Sequence, residues 1–263
     1  MTSLEQTPAL RAINLRIRRG KQTPLDGVSL DLRRGELVFV VGPNGAGKST
    51  MIRTLAGLIS TYEGHVLVQG SDLTQFDRRS IARRISWVEQ TPEVAVGFTV
   101  REVVAMGRAP FQDALMQLCE DDLQKVDRAL SSCDLSHHTT SNRRSFQVVS
   151  NAESASLAPY QDTAILLMDE PGAHLDASHA LALAKLVRHE ADIHRRACLV
   201  ISHDLNLAHQ FADRVVVMSS GKIIADAPAA EALDDRILET VFSSSLVAVN
   251  IPNAGRYIVP PPR

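Results

Sequence analysis

The stretch Gly42-Pro43-Asn44-Gly45-Ala46-Gly47-Lys48-Ser49-Thr50 constrains this chain more than any other. It fits G-x-x-x-x-G-K-[ST], and its flanks supply the context that this pattern needs. An apolar, β-branched run (Leu37-Val38-Phe39-Val40-Val41) leads in, and a helix-compatible segment from Met51 to Ala56 leads out. Strand, glycine-rich loop and helix in that order make a cradle for phosphates. The glycines let backbone N–H groups curl around an anion at a helix N-terminus, where the dipole favours negative charge. Lys48 would add a point charge to the phosphates, and the Ser49 hydroxyl would ligate Mg²⁺.

A chain of 263 residues can bury a substantial core. It reads as one α/β domain, residues 1–263, carrying a smaller inserted lobe. With a formal charge of −2 and a pI of about 6.5, no global field recruits nucleic acid or an anionic membrane, so no nucleic-acid partner is expected. No apolar run reaches the roughly 18 residues that span a bilayer, and residues 1–5 lack the basic and apolar regions of a signal peptide. Cys119, Cys133 and Cys198 show neither metal-site nor redox spacing, which fits a reducing cytosol. A link to a membrane is therefore expected to run through a partner.

Taken in order, residues 9–36 predict a β-hairpin: Leu15, Ile17, Leu25, Val28, Leu30 and Leu32 alternate with polar positions, punctuated by Gly20, Pro24 and Gly35. Beyond the phosphate loop a strand is expected over 65–69, a short helix over 78–84 and a buried strand over 85–88 that delivers Glu89 and Gln90 to a loop. From residue 91 to 162 the character changes. Thr99 is a plausible cap for one helix, and residues 121–130 form a second amphipathic one, so 91–162 reads as an inserted helical subdomain. The core, 1–90 and 163–263, resumes with Ala164-Ile165-Leu166-Leu167-Met168-Asp169-Glu170. A helix over 178–194, a strand over 198–202, a helix over 205–211 and a strand pair at 215–218 and 221–224 follow. Strands alternating with helices predict a mostly parallel sheet covered on both faces. There is no internal repeat or low-complexity tract, and the tail 260–262 is expected to fray.

An apolar strand ending in two carboxylates fits the second motif of nucleotide hydrolases, Walker B. Asp169 would hold the Mg²⁺ shell and Glu170 would polarise the attacking water. His203 follows the strand Leu199-Val200-Ile201-Ser202, at the edge where parallel sheets bind ligands, and would contact the γ-phosphate. Gln90, also at a strand end, could share the metal and the water. His137-His138 invites a metal-site reading, but adjacent side chains diverge from most backbones. His174, His179, His189 and His194 read as turn and solvated helix positions.

Five ordered motifs now form a pattern: the phosphate loop; Gln90; the strand to Glu170; Ala173-His174-Leu175-Asp176; and Ser202-His203-Asp204. Together they resemble the ATPase subunit of ABC transporters over nearly the whole chain. The resemblance implies a P-loop NTPase fold with an N-terminal antiparallel β subdomain and an inserted helical subdomain. It also implies ATP and Mg²⁺ as ligands, a homodimer of ATPase subunits, and a permease that the Gln90 loop touches at the cytoplasmic face of the inner membrane. Asp176 would lie in the loop that meets the partner ATPase. Two phrases, residues 98–110 and the run from His203 to Arg214, resemble the import ATPases for iron–siderophore complexes, haem and cobalamin. Such importers also work with a substrate-binding protein. ABC ATPases of DNA maintenance insert a long coiled coil, for which 91–162 is too short and lacks heptads.

Three departures stand out. Family members commonly stack an aromatic ring on adenine; the matching position here is near Arg18 or Arg19, where a guanidinium could stack instead. Gly172 replaces a residue that is usually larger, which predicts a mild effect. The largest departure is the absent Leu-Ser-Gly-Gly-Glu signature, whose serine and glycine N–H groups close on the partner's γ-phosphate. In its place stands Phe146-Gln147-Val148-Val149-Ser150-Asn151-Ala152-Glu153. Ser150-x-x-Glu153 is a capping box that could start a short helix, which Pro159 would stop. Back-translating 146–153 as TTY CAR GTN GTN AGY AAY GCN GAR and reading one base earlier permits Leu-Ser-Gly-Gly-Glu-Gln-Arg-Arg. Continuing to Tyr160 permits Val-Ser-Ile-Ala-Arg-Thr-Leu. A local, compensated frameshift accounts for both. Read literally, the chain predicts retained ATP binding with greatly reduced turnover, and the alternative of a signature-deficient regulator or degenerate subunit.

Overall fold

Strands that are apolar at every position need cover on both faces, and three strands here are buried throughout. The computed structural model describes residues 7–90, 99–112, 118–132, 162–173, 175–242, 246–251 and 255–260. Its strands are β1 (Leu10–Arg19), β2 (Gln22–Leu32), β3 (Leu37–Val41), β4 (Glu63–Val68), β5 (Ser71–Asp72), β6 (Ile85–Val88), β7 (Ile165–Asp169), β8 (Ala197–Ile201), β9 (Arg214–Ser219), β10 (Lys222–Ala227), β11 (Val247–Ile251) and β12 (Gly255–Val259). β3, β7 and β8 are the fully buried three. They lie inside a six-stranded sheet ordered β10-β9-β3-β8-β7-β6, in which only the β9–β10 pair is antiparallel.

The period of two divides these strands between two cores. Val38, Val40, Leu167, Leu199, Ile201, Val216 and Met218 face one side, where the helix Lys48–Leu55 packs through Met51, Ile52 and Leu55. Leu37, Phe39, Leu166, Met168, Val200, Val215 and Val217 face the other, against Leu183 and Val187 of the helix Ala177–Asp192 and Leu205 and Ala208 of the helix Leu205–Phe211. Cys198 belongs to this second core, where burial pushes its thiol up to about 12 and leaves it an inert apolar group.

A second sheet, ordered β2-β1-β4-β5, is antiparallel and covers the first core. The alternation expected of the hairpin holds: Leu15, Ile17, Leu25, Val28, Leu30 and Leu32 are all buried. In the segment expected to be helical, Thr99 and Glu102 form a reciprocal capping box at the start of Val100–Met106. The helix Glu120–Ser132 follows, joined to it by a buried pair: Arg108 Nε donates to Asp122 Oδ1 at 2.8 Å. Two helices (Ala229–Ala232 and Asp235–Phe242) and the β11–β12 hairpin, which no sequence pattern predicted, close the chain over the second core. His137, His138, residues 146–160, His174 and the end of the tail lie outside the described residues.

Candidate functional site

The phosphate loop leaves β3 and turns into a helix whose first residue is Lys48. Its N-cap is Gly47, with φ 99° and no side-chain cap, so the first-turn N–H groups keep their capacity for an outside acceptor. Two glycines here are imposed by neighbours. A Cβ on Gly42 (φ 148°) would stand 2.1 Å from the Met218 carbonyl oxygen, and one on Gly47 would stand 2.1 Å from that of Pro24. Backbone from β9 and β2 thus presses on the loop from both sides. Lys48 is 5% exposed and donates to the carbonyls of Gly42 (2.8 Å) and Pro43 (3.1 Å). Burial lowers its pKa, opposed by the charges of Glu170 and Asp169.

Parallel register gathers the other groups. Val88 of β6 pairs with Met168 of β7, which pairs with Val200 of β8. Gln90, Glu170 and His203 lie just past these three adjacent strand ends and meet. Glu170 Oε1 is 2.6 Å from His203 Nε2, and its Oε2 accepts from Gln90 Nε2 at 2.7 Å. Glu170 itself falls outside the strand, with φ 50°, unusual for a side chain other than glycine. Its N–H donates to the Ile201 carbonyl at 3.1 Å, which holds that turn.

Asp169, the last residue of β7, is fully buried. Ser49 Oγ donates to its Oδ1 at 3.1 Å, while Oδ2 has no hydrogen-bond partner. Burial raises its pKa; the Ser49 hydroxyl and the Arg53 guanidinium work against that. A buried carboxylate with one oxygen unmatched, beside a serine hydroxyl, fits a divalent cation that shares its remaining ligands with phosphate and water. Among the described residues no cluster of three or more His, Cys, Asp or Glu could hold a metal without such help.

Residues 44–50, Gln90, Glu170 and His203 line a cleft of about 830 Å³, and buried Asp169 lies outside that lining. Gly42 and Pro43 lie behind it, holding Lys48. Arg19, Gln22, Thr23, Pro24, Ser220 and Gly221 line the cleft too; Arg18 does not. Apart from Arg19, these residues escaped sequence reasoning, although Gly221 ties them to the loop: its N–H donates to the Ala46 carbonyl and its carbonyl accepts from Asp26 N–H. Arg53 was also missed. It stands one helical turn past Ser49, the only signal for it, and pairs with Glu89 at 3.3 Å.

Asp176 sits apart from the cleft, exposed, as N-cap of Ala177–Asp192. Its Oδ1 accepts from Ser178 Oγ (2.7 Å) and from His179 N (2.9 Å), and these bonds hold its pKa below the usual carboxylate range. His179 is exposed beside it, as expected of a solvated helix face.

With this geometry in place, comparison with known proteins is direct. Residues 25–173 match the family model described as ABC transporter. The haemin import ATP-binding protein HmuV of Nocardia farcinica is 38% identical over 274 residues, covering 99% of this chain and 93% of that protein. The ferric enterobactin transport ATP-binding protein FepC of Escherichia coli K12 is 29% identical over 264 residues, covering 98% and 95%. Among solved structures, an inward-facing ABC transporter described as metal-chelate type superposes with a TM-score of 0.81 at 20% identity, over 98% of both chains, and supports the fold. Among the described residues no helix is long and apolar enough to cross a membrane. The chain belongs to the ABC transporter family, as an ATP-binding subunit of the kind whose activity is ATP hydrolysis.

Proposed function

We propose that this chain is the ATPase subunit of an importer for an iron chelate, with haemin the favoured cargo. The observation that carries the reading is the meeting of Gln90, Glu170 and His203 beside the phosphate loop and Asp169, in one cleft. Cargo is inferred from kinship: identity is 38% to a haemin import subunit against 29% to a ferric enterobactin one.

In this reading the N–H groups of residues 45–50 and Lys48 bind the β- and γ-phosphates. Arg19 stacks on the base. Ser49, Asp169 and the Gln90 amide oxygen would hold Mg²⁺, which when bound would neutralise charge on the phosphates. Glu170, oriented by His203 and Gln90, accepts a proton from the attacking water, and His203 also meets the γ-phosphate. Two copies, joined in part through Asp176, close over the nucleotides against a permease at the cytoplasmic face of the inner membrane. A substrate-binding protein would deliver the cargo.

Residues 146–153 decide how well this machine turns over, because each site would borrow its lid from the partner's signature. We read the missing glycines as a compensated frameshift. Sequencing the gene across residues 140–165 tests this, and free bases that forbid the glycines would end the idea. The frameshifted chain is expected to bind ATP with little hydrolysis, and the restored chain to hydrolyse at the rate usual for the family. Fast hydrolysis by the literal chain refutes the lid argument. Absence of nucleotide binding refutes the whole reading. A strain lacking the gene should fail to accumulate haemin; a defect confined to ferric siderophore or cobalamin uptake would reassign the cargo. A gene neighbourhood without permease or binding protein would favour the regulator alternative.

A further inference from the structure

We infer that Asn206 is a positioning residue that ties His203 to the C-terminal β-hairpin, making that hairpin a control point for γ-phosphate recognition. The inference rests on the assignment of His203 proposed above. Asn206 Nδ2 donates to the Ile258 carbonyl at 3.2 Å, and Ile258 N–H donates to Asn206 Oδ1 at 2.8 Å. One primary amide thus meets one backbone residue with both of its groups, as a neighbouring strand would. The two residues lie 52 positions apart, so no local turn explains the bond.

The connection from Asn206 back to His203 is short and stiff. Asp204 caps the helix Leu205–Phe211 by accepting from Asn206 N–H (2.9 Å) and Leu207 N–H (3.0 Å). Asp204 N–H in turn donates to Ser202 Oγ at 3.0 Å. His203 stands between these two residues, and its ring meets Glu170. The helix cannot shift along its axis without moving the cap, and the cap cannot move without moving His203.

The far end of the tether is also fixed. Ile258 is buried in the second core. Arg256, two residues earlier, donates to the carbonyls of Ala230 (2.8 Å) and Leu233 (3.2 Å) at the end of the helix Ala229–Ala232. Asp235 accepts from the Ala248 N–H of the other strand at 3.1 Å. The hairpin is therefore an anchored lever: it reaches the Leu205–Phe211 helix through the shared core and the charge of Arg256 near His209, and Asn206 makes side-chain hydrogen bonds between the two elements. Nothing in the chemistry of the cleft requires an amide at this position.

The test compares two nucleotides that differ only in the γ-phosphate. A non-hydrolysable ATP analogue and ADP, each with Mg²⁺, are titrated by calorimetry against the full chain, so the readout needs no turnover. Asn206→Leu is expected to weaken the analogue about fivefold, the value of a hydrogen-bonded constraint near 1 kcal/mol, with ADP affinity unchanged within twofold. Asn206→Asp keeps the acceptor for Ile258 N–H and should fall between, which preserves the test if the leucine variant fails to fold. In a His203→Ala background, Asn206→Leu should change neither affinity further. Equal weakening of both nucleotides, no change in either, or a further loss without His203 would each overturn the inference. Failure of the unaltered chain to bind any nucleotide would instead strike at the function proposed above.

Discussion

The six-stranded sheet has two ends, and they treat charge in opposite ways. Where β3, β8 and β9 begin, Arg188, Arg196 and Arg214 each meet a carboxylate. Arg214 takes Glu36 at 2.8 Å together with Asp226 and the Asp31 carbonyl. Arg188 takes Asp213 (2.7 Å) and Asp192 (2.6 Å), while Asp213 accepts the Leu37 N–H at 2.8 Å. Arg196 lies 3.3 Å from Glu190. Where β3 and β7 finish, Lys48 is buried on carbonyls alone, Asp169 keeps one oxygen without a partner, and Glu170 bends into positive φ. The first end pairs cation with carboxylate, although Arg188 Nε, Arg196 Nη1 and Glu190 Oε2 are buried there without a hydrogen bond. The second sets a lysine and two carboxylates together without a cation-to-carboxylate hydrogen bond for Lys48, the arrangement that a phosphate-and-metal ligand, as proposed above, would complete.

The largest effect that tests this contrast falls on the loop backbone. Gly47→Ala drives a Cβ into the Pro24 carbonyl, which is backbone and has little room to give. Thermal denaturation should show a loss of about 3 kcal/mol or more, together with lost ATP binding. A stable Gly47→Ala chain would mean that β2 does not press on the loop as described.

Next come two substitutions of equal type at opposite ends. Lys48→Met should weaken ATP by about 10- to 100-fold, the worth of a charged hydrogen bond. Because burial already lowers the Lys48 pKa, its charged form costs stability at neutral pH. The nucleotide-free melting temperature should accordingly move by no more than about 3 °C. Arg214→Met should do the reverse: about 2 kcal/mol of stability lost, read as roughly 5 °C in melting, with ATP affinity intact. If Arg214→Met weakened ATP as much as Lys48→Met, the division between the two ends would collapse.

Legibility in the sequence follows the same line. The phosphate loop, Asp169, Glu170, Gln90 and His203 stand at or just beyond strand ends, so apolar runs and their boundaries pointed to them. Parallel register then brought three of them together, because neighbouring strands deliver their ends to one place. The other residues lining the cleft, 22–24 with Ser220 and Gly221, were hidden. Residues 22–24 open β2 and Ser220-Gly221 is the β9–β10 turn, and their approach to the loop is set by the antiparallel β1–β2 and β9–β10 pairs rather than by local pattern. Asn206 stood inside the run from His203 to Arg214, yet its contact stayed hidden because its partner belongs to a hairpin that no sequence pattern predicted. Of the two arginines offered for the base, only contact with the cleft separated Arg19 from Arg18.

The smallest expected effect separates glycines that the fold requires from one that it does not. Gly172 stands in the same turn as Glu170, yet it has no positive φ. A Cβ there would find only the Ala180 methyl, at an ordinary 3.9 Å. Gly172→Ala should therefore stabilise the chain by about 0.5 kcal/mol, through the lost freedom of its unfolded form. ATP affinity should not change. The same substitution at Gly42 meets a carbonyl oxygen at 2.1 Å, so the pair forms an internal control within one edge of the sheet. Were Gly172→Ala to cost as much as Gly42→Ala, the turn after Glu170 would have to visit a glycine-only conformation during ATP binding, and its place beside the open charges would acquire a mechanical role.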